Sequence, residues 1–166
     1  TLMADVVLNH SSVKNAWFVG YQNGDPVYEN FFCAVPKDFD LSNIVRPRSS
    51  SLKEKFLVNS EERNIWCTFS SDQADLNFKN PTVLRKLVDV IFWYIKMGVR
   101  VFRLDAVALI WKNSGTTGLK APQAHLKNFL YFEEQDFDFL NLLSGFLMNL
   151  FLQKVFFEKK NKNQRN

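Results

Sequence analysis

Two short segments of the chain have the apolar pattern of β-strands, and each ends in polar side chains. The first runs from Thr1 to His10, and from Leu2 onward it is apolar except for Asp5 and the Asn-His pair at its end. In the second, Gly98 to Ala106, alternate residues share one side of a strand, because successive side chains point to opposite faces. That side carries Val99, Val101, Arg103 and Asp105. The second strand is therefore predicted to be packed at its start and charged at its carboxyl end.

A helix is predicted directly before the second strand. Asn80 can act as its N-cap, Pro81 suits the first helical position, and Gly98 ends it. Apolar residues recur between these limits at helical spacing: Leu84, Leu87, Val88, Ile91, Tyr94 and Ile95. A helix that leads straight into a strand fits a right-handed crossover between parallel strands, so the pattern indicates an α/β fold.

Composition narrows the class of protein only slightly. The 166 residues carry a net charge of +4, and the basic residues are scattered except in a polar tail, residues 159–166. We expect that tail to be solvated and expect no nucleic-acid partner. Cys33 and Cys67 are isolated and lack metal-ligand spacing. They fit reduced thiols of a cytoplasmic protein better than a disulfide framework.

The last forty residues have an unusual composition. Residues 129–157 hold eight of the 17 Phe, and the apolar run from Leu140 to Phe157 is interrupted by polar residues. A membrane-spanning helix needs about 20 predominantly apolar residues, so we expect no membrane association. A reading-frame shift after His125, in an AT-rich coding sequence, is a hypothesis that explains this composition better.

The charged end of the second strand allows two interpretations. A cation within a few Å favours the ionised carboxylate, so Arg103 is expected to keep Asp105 charged. A carboxylate that is held in this way and aimed at a substrate can act as a nucleophile. The strand alone fits a buried structural ion pair equally well.

Several sequence motifs resemble those of a known family, in the same order along the chain, and they favour the nucleophile interpretation. Residues Asp5 to His10, Gln73 to Asn77 and Gly98 to Ala106 resemble the first, QxDLN and nucleophile motifs of the α-amylase superfamily, glycoside hydrolase family 13. Three further stretches resemble its sucrose phosphorylase branch, which includes glucosylglycerate phosphorylases: Val45 to Arg48, Trp66 to Gln73 and Trp111 to Thr117. The resemblance covers roughly residues 1 to 125.

The fold implied by the resemblance is part of a TIM (β/α)8 barrel, which takes about 250 residues when complete. We expect residues 1–10 to form barrel strand 3 and residues 11–78 to form an inserted domain B. Residues 79–125 would supply helix 3, strand 4 and the following loop or helix, and residues 126–166 a divergent tail. The chain is therefore expected to be a fragment.

The resemblance also assigns roles to individual residues. Asp105 is expected to be the catalytic nucleophile and Arg103 its supporting cation. Among substrate-binding residues, His10 is expected to donate to sugar hydroxyls and Gln73 to line the glucosyl pocket. Asp5, grouped with them, is expected to be a carboxylate that braces Arg103.

Other polar residues of the motifs receive weaker roles or none. Arg48, on a stiff turn with Pro47, is a candidate for the acceptor or phosphate site, while Asp75 and Asn77 are expected to brace the barrel rim. Asn9 resembles a calcium ligand of many amylases, but the phosphorylase branch does not generally use calcium. We therefore predict no metal and no cofactor, with phosphate as a co-substrate.

The predicted function belongs to carbohydrate metabolism and acts on a small sugar substrate. It is a phosphorylase-like glycosyltransferase that forms a covalent glucosyl-Asp intermediate; a hydrolase of the α-glucosidase type and an inactive remnant are the alternatives. Retaining enzymes need a second carboxyl group as acid/base, which the family places on a fifth strand. Glu133 and Glu134 have no apolar strand ahead of them that would aim a carboxylate into a barrel, so neither is assigned this role. The chain alone is expected to be inactive, and its oligomeric state is not predicted.

Overall fold

The computed structural model describes residues 1–45, 51–114, 117 and, by their backbone alone, 129–131. The strands are β1 (Leu2–Val7), β2 (His10–Ser12), β3 (Lys53–Val58), β4 (Glu61–Trp66), β5 (Gln73–Asp75), β6 (Val99–Asp105) and β7 (Phe129–Tyr131). The helices are α1 (Ala16–Gln22) and α2 (Pro81–Lys96), with 3-10 turns at Pro26–Tyr28 and Val107–Leu109.

The two predicted strands are β1 and β6, and they pair in parallel. Their register places Asp5 opposite Arg103 and Val7 opposite Asp105, so both carboxyl ends lie at one edge of the sheet. The polar side chains predicted at these strand ends are therefore brought together. Parallel strands need a crossover connection, and α2 provides the helix that precedes β6.

Helix α2 has the limits that the sequence predicts. The Asn80 side chain accepts a hydrogen bond from the backbone N–H of Thr82 at 2.9 Å, and Pro81 is the first helical residue. At the other end the chain turns at Gly98, whose φ is +93°, in the left-handed region that glycine enters at least cost. A sharp turn here lets β6 begin directly after the helix.

The main core lies between α2 and one face of the parallel pair. Phe102 and Leu104 of β6 are buried there together with Leu87 and Ile91 of α2 and Val6 of β1. The opposite face of β6 begins with the buried Val99 and becomes more exposed toward Arg103. The predicted packed start and charged end of this strand are confirmed.

Helix α1 and strands β3, β4 and β5 lie within residues 11–78, and β2 begins just before this range, at His10. The short strands β2 and β5 pair antiparallel, and β3 and β4 form an antiparallel hairpin. Aromatic side chains join α1 to this region: the rings of Phe18 and Phe32 lie 4.9 Å apart, edge to face. Cys33 and Cys67 are both free thiols, and burial raises their pKa values to about 11 and about 12. The domain limits predicted from the sequence stay predictions.

Strand β7 was not predicted, and its direction differs from that of a barrel strand. It pairs antiparallel with β6, with Arg103 opposite Phe129 and Val101 opposite Tyr131. Strand β7 therefore runs toward the amino-terminal end of β6. The chain at Tyr131 consequently heads away from the end of the sheet at which Asp105 lies.

Candidate active site

Arg103 joins two carboxylates at the carboxyl ends of the parallel strands. Its Nη1 lies 3.0 Å from Asp5 Oδ2, and its Nη2 lies 3.1 Å from Asp105 Oδ1. The register makes this possible, because Asp5 is directly opposite Arg103 and Asp105 is two residues further along the same face. One guanidinium can therefore hold two carboxylates in fixed positions through charge-assisted hydrogen bonds.

The backbone turns sharply immediately after Asp105. Ala106 has a φ of +56°, in the left-handed region that residues with a side chain enter at a cost. The strand ends there, and a 3-10 turn follows over Val107–Leu109. Asp105 is thus the last residue of β6, with its side chain half-exposed at the rim of the sheet. An exposed carboxylate in this position is accessible to a substrate.

His10 begins the next strand, β2, and is half-buried. Its ring lies 4.8 Å from that of Phe69. Burial lowers the pKa of His10 below its usual value, and the positive charge of Lys112 acts in the same direction; the carboxylates of Asp75, Asp105 and Asp72 oppose this. A neutral imidazole at neutral pH can donate one hydrogen bond and accept another.

Gln73 lies on β5, which pairs with the strand that His10 begins. The backbone of Gln73 is opposite Ser12, and its side-chain oxygen lies 2.6 Å from the hydroxyl of Ser70. Gln73 and His10 therefore lie on neighbouring, paired strands. These two predicted sugar-binding residues are separated by 63 positions in the sequence and meet in one small sheet.

A buried ion pair lies beneath these residues. Lys112 Nζ is 2.7 Å from Asp75 Oδ2 and 2.6 Å from Asn9 Oδ1, and it also contacts the backbone oxygen of Leu109. The side chain of Asp75 accepts hydrogen bonds from the backbone N–H and the hydroxyl of Thr68. Asp75 is thus held between Lys112 and Thr68.

Lys112 has no role in the sequence analysis, although it lies within one of the quoted motifs. A lysine that directly follows an apolar run, Val107 to Trp111, is the signal that could have identified it. A charged residue buried in such a run requires a partner of opposite charge. Its partners are distant in sequence, since Asn9 is 103 positions away.

Some predicted residues cannot be placed. Arg48, Glu133 and Glu134 lie outside the described residues, as does the tail from 132 to 166. Within the described ranges, no group of three or more His, Cys, Asp or Glu side chains could hold a metal ion. No helix in this part of the chain is long and apolar enough to cross a membrane.

Comparison with known proteins gives consistent matches. The family model "Alpha amylase, catalytic domain" matches residues 1–147. The glucosylglycerate phosphorylase of Spirochaeta thermophila is 44% identical over 124 residues, which are 75% of this chain and 21% of that protein. Maltase A1 of Drosophila melanogaster is 33% identical over 119 residues, 67% of this chain and 20% of that protein.

A solved structure matches the fold over most of the chain. The sucrose 6F-phosphate phosphorylase of Thermoanaerobacter thermosaccharolyticum superposes with a TM-score of 0.66 at 22% identity, covering 89% of this chain and 31% of that one. At this identity the match concerns the fold alone. The chain spans about a fifth of the length of the curated relatives that it matches.

Proposed function

Because the chain belongs to the α-amylase catalytic-domain family, we propose that it supplies the nucleophile of a retaining phosphorylase that acts on an α-glucoside. The observation that carries this proposal is the bridge from Arg103 to both Asp5 and Asp105 at the carboxyl end of β6. In a barrel of this kind, catalytic residues lie at the carboxyl ends of the strands.

In the proposed reaction, a carboxylate oxygen of Asp105 attacks the anomeric carbon of the glucosyl unit. A glucosyl ester forms, and the bond from that carbon to the leaving oxygen breaks with its electron pair on the leaving group. A second carboxyl group must donate a proton to that oxygen, and the family pattern places this acid on the fifth barrel strand. Arg103 orients the carboxylate of Asp105 for attack, and Asp5 holds Arg103 in position.

Phosphate then takes the glucosyl group from Asp105. A hydrogenphosphate oxygen attacks the same carbon, the ester bond breaks, and glucose 1-phosphate leaves while Asp105 is regenerated; the proton of the hydrogenphosphate returns to the second carboxyl group. The support for phosphate over water is the similarity to relatives, since the phosphorylase match has 44% identity and the maltase match 33%. Arg48 is the residue of this chain that we propose for the phosphate or acceptor site.

His10 and Gln73 complete the proposed sugar site. Their strands, β2 and β5, pair next to the carboxyl ends of β1 and β6, and the charge of Asp105 acts on the pKa of His10. His10 would donate to a sugar hydroxyl, and Gln73 would offer its amide to another. We propose no cofactor, because acid/base and nucleophilic steps need only carboxylates and the phosphate co-substrate.

The test is a chimaera that contains this chain's own residues. Residues 1–125 replace the matching stretch of the Spirochaeta thermophila enzyme, and the product is incubated with glucosylglycerate, with and without phosphate. The expected result is glucose 1-phosphate that forms only with phosphate and disappears in Asp105→Asn. The matched control is Lys37→Met, a change at an exposed residue outside the site.

Two results would contradict the proposal. Release of free glucose at the same rate with and without phosphate would identify a hydrolase instead. A folded chimaera that forms neither product would favour the inactive remnant. Folding is checked by circular dichroism and by the thermal transition.

A further inference from the structure

A line of polar contacts leads from the buried ion pair to the ring of His10. Asp75 pairs with Lys112, Lys112 donates to the side-chain oxygen of Asn9, and Asn9 Nδ2 lies 3.4 Å from His10 Nδ1. Asp75 and Asn9 are fully buried, and Lys112 is 7% exposed. Bulk water therefore competes little with these contacts.

The ammonium group of Lys112 decides which way the amide of Asn9 faces. An amide can turn over and exchange its oxygen for its NH2 group, but an ammonium group has only donors. The atom of Asn9 that lies 2.6 Å from Lys112 Nζ must therefore be the oxygen. The NH2 group is left on the side of His10.

The direction of the Asn9 amide decides the tautomer of His10. An amide NH2 group can only donate, so His10 Nδ1 must be the acceptor in this contact. In a neutral imidazole, one ring nitrogen accepts and the other carries the proton. The proton must then be on Nε2.

We propose that Lys112 is a positioning residue that holds His10, through Asn9, in the tautomer protonated at Nε2. Lys112 pairs with Asp75, and its ammonium group fixes the amide of Asn9. His10 thereby presents a hydrogen-bond donor on the nitrogen that faces away from Asn9. The donor role toward a sugar hydroxyl rests on the proposed function; the control of the tautomer does not.

The tautomer can be measured without any sugar. The chain contains only two histidines, His10 and His125, so ¹⁵N labelling of histidine gives two sets of ring signals, which His125→Gln assigns. The ring nitrogen shifts are read at a pH where His10 is neutral. An unprotonated Nδ1 and a protonated Nε2 are expected in the unaltered chain.

Asn9→Asp is the decisive variant, because it keeps the shape of the side chain and keeps Lys112 paired. A carboxylate presents an acceptor to His10 in place of a donor, so the proton is expected to move to Nδ1. The ring nitrogen shifts of His10 would then indicate a protonated Nδ1 and an unprotonated Nε2. An unchanged pattern in Asn9→Asp would falsify the proposal.

The role of Lys112 is tested with its charge removed. Lys112→Met alone leaves Asp75 as an uncompensated buried charge and can unfold the chain, so it is combined with Asp75→Asn, which removes both charges. The form protonated at Nε2 is expected to lose its dominance in the double variant, because the amide is no longer held. Lys37→Met is the control and should leave the His10 signals unchanged. A double variant with the signals of the unaltered chain would show that Lys112 does not control the tautomer.

The same variants in the chimaera separate this proposal from the proposed function. There the signals of His10 are identified by their loss in His10→Gln, and activity is measured beside them. If the tautomer reverses in Asn9→Asp and kcat/KM falls about tenfold, both the sugar-binding role of His10 and the control of its tautomer are supported. A tenfold loss is about the worth of a single hydrogen bond. If the tautomer reverses and activity does not change, His10 is not the donor to the sugar, while the control of its tautomer stands.

Discussion

The environment of Asp105 determines what its replacement should do. Its ion pair with Arg103 is about half-exposed, with 46% and 44% of the two side chains accessible. Pairs this exposed contribute about 0–1 kcal/mol to stability, so the contact with Arg103 adds little to the stability of this chain. The arrangement holds the carboxylate in place more than it stabilises the fold.

The corresponding prediction concerns Asp105→Asn in the chimaera. The amide keeps the size and hydrogen-bonding shape of the carboxylate but cannot attack the anomeric carbon. Turnover is expected to fall by several orders of magnitude while substrate binding persists, as when an interaction of the transition state is lost. Steady-state kinetics and equilibrium binding measure the two effects; near-native turnover would exclude Asp105 as the nucleophile.

A second prediction concerns the pH dependence of stability at His10. Its pKa is lowered in the folded chain, chiefly by burial and further by Lys112, against the opposing charges of Asp75, Asp105 and Asp72. The unfolded chain binds the proton near the usual value of about 6.5, and the folded chain binds it only at lower pH. The stabilising contribution of His10 is therefore complete above a pH of about 6.5 and is lost as the pH falls toward the lower pKa of the folded chain.

The measurement is urea unfolding of the 166-residue chain between about pH 5 and pH 8. The difference between the unaltered chain and His10→Gln isolates the contribution of His10, because all other groups are common to both. As the pH falls, the free energy of unfolding of the unaltered chain is expected to decrease relative to that of His10→Gln. A difference that does not vary with pH would contradict the burial of a neutral imidazole.

At the scale of elements, Asn80 connects helix α2 to the inserted region. Its side-chain oxygen caps the helix at Thr82, and its NH2 group donates to the backbone oxygen of Glu29 at 3.1 Å. Asn80→Ala removes both interactions and is expected to cost at least the usual ~0.5–2 kcal/mol of an N-cap. Asn80→Asp keeps the cap and loses only the donor.

Urea unfolding of both variants measures the two contributions separately. The Asp variant should fall between the Ala variant and the unaltered chain. Equal loss in both variants would mean that the cap contributes nothing, and that the contact with Glu29 accounts for the whole effect.

The elements also show which parts of the fold a sequence can reveal. Helix α2 and strand β6 were predicted because caps, periodicity and alternation are local signals. Strands β2 and β5 were not predicted, since each has three residues and they pair across some sixty positions. Lys112 was missed for a similar reason: its charge is explained only by Asp75 and Asn9, which the fold brings to it.

The whole molecule leaves one face of its parallel strands uncovered in the described structure. On β1, Met3 is 58% and Val7 39% exposed, on the side of the strand that also carries Asp5. Strand β1 is at the edge of the described sheet. An edge strand with exposed apolar residues promotes association with other chains.

We therefore predict that the 166-residue chain self-associates through this face. Met3→Lys places a charge on the edge strand and should shift the sedimentation coefficient toward that of the monomer. Met97→Lys is the matched control, since Met97 is as exposed (63%) but lies at the end of α2. Equal effects of the two substitutions would show that association does not involve β1.

The pairing of β2 with β5 has a consequence for how such a protein can diversify. The chain leaves the sheet after Ser12 and returns at Gln73, and a hydrogen bond from Val13 N to Asp72 O at 2.8 Å closes this neck. His10 and Gln73 lie at the neck and not in the loop beyond it. Doubling the length of a flexible loop costs only about 0.6 kcal/mol in closure entropy, so exposed turns of the intervening region can lengthen while Thr68 and Phe69 keep their contacts with Asp75 and His10. New specificities can be grafted here while the sugar site keeps its geometry.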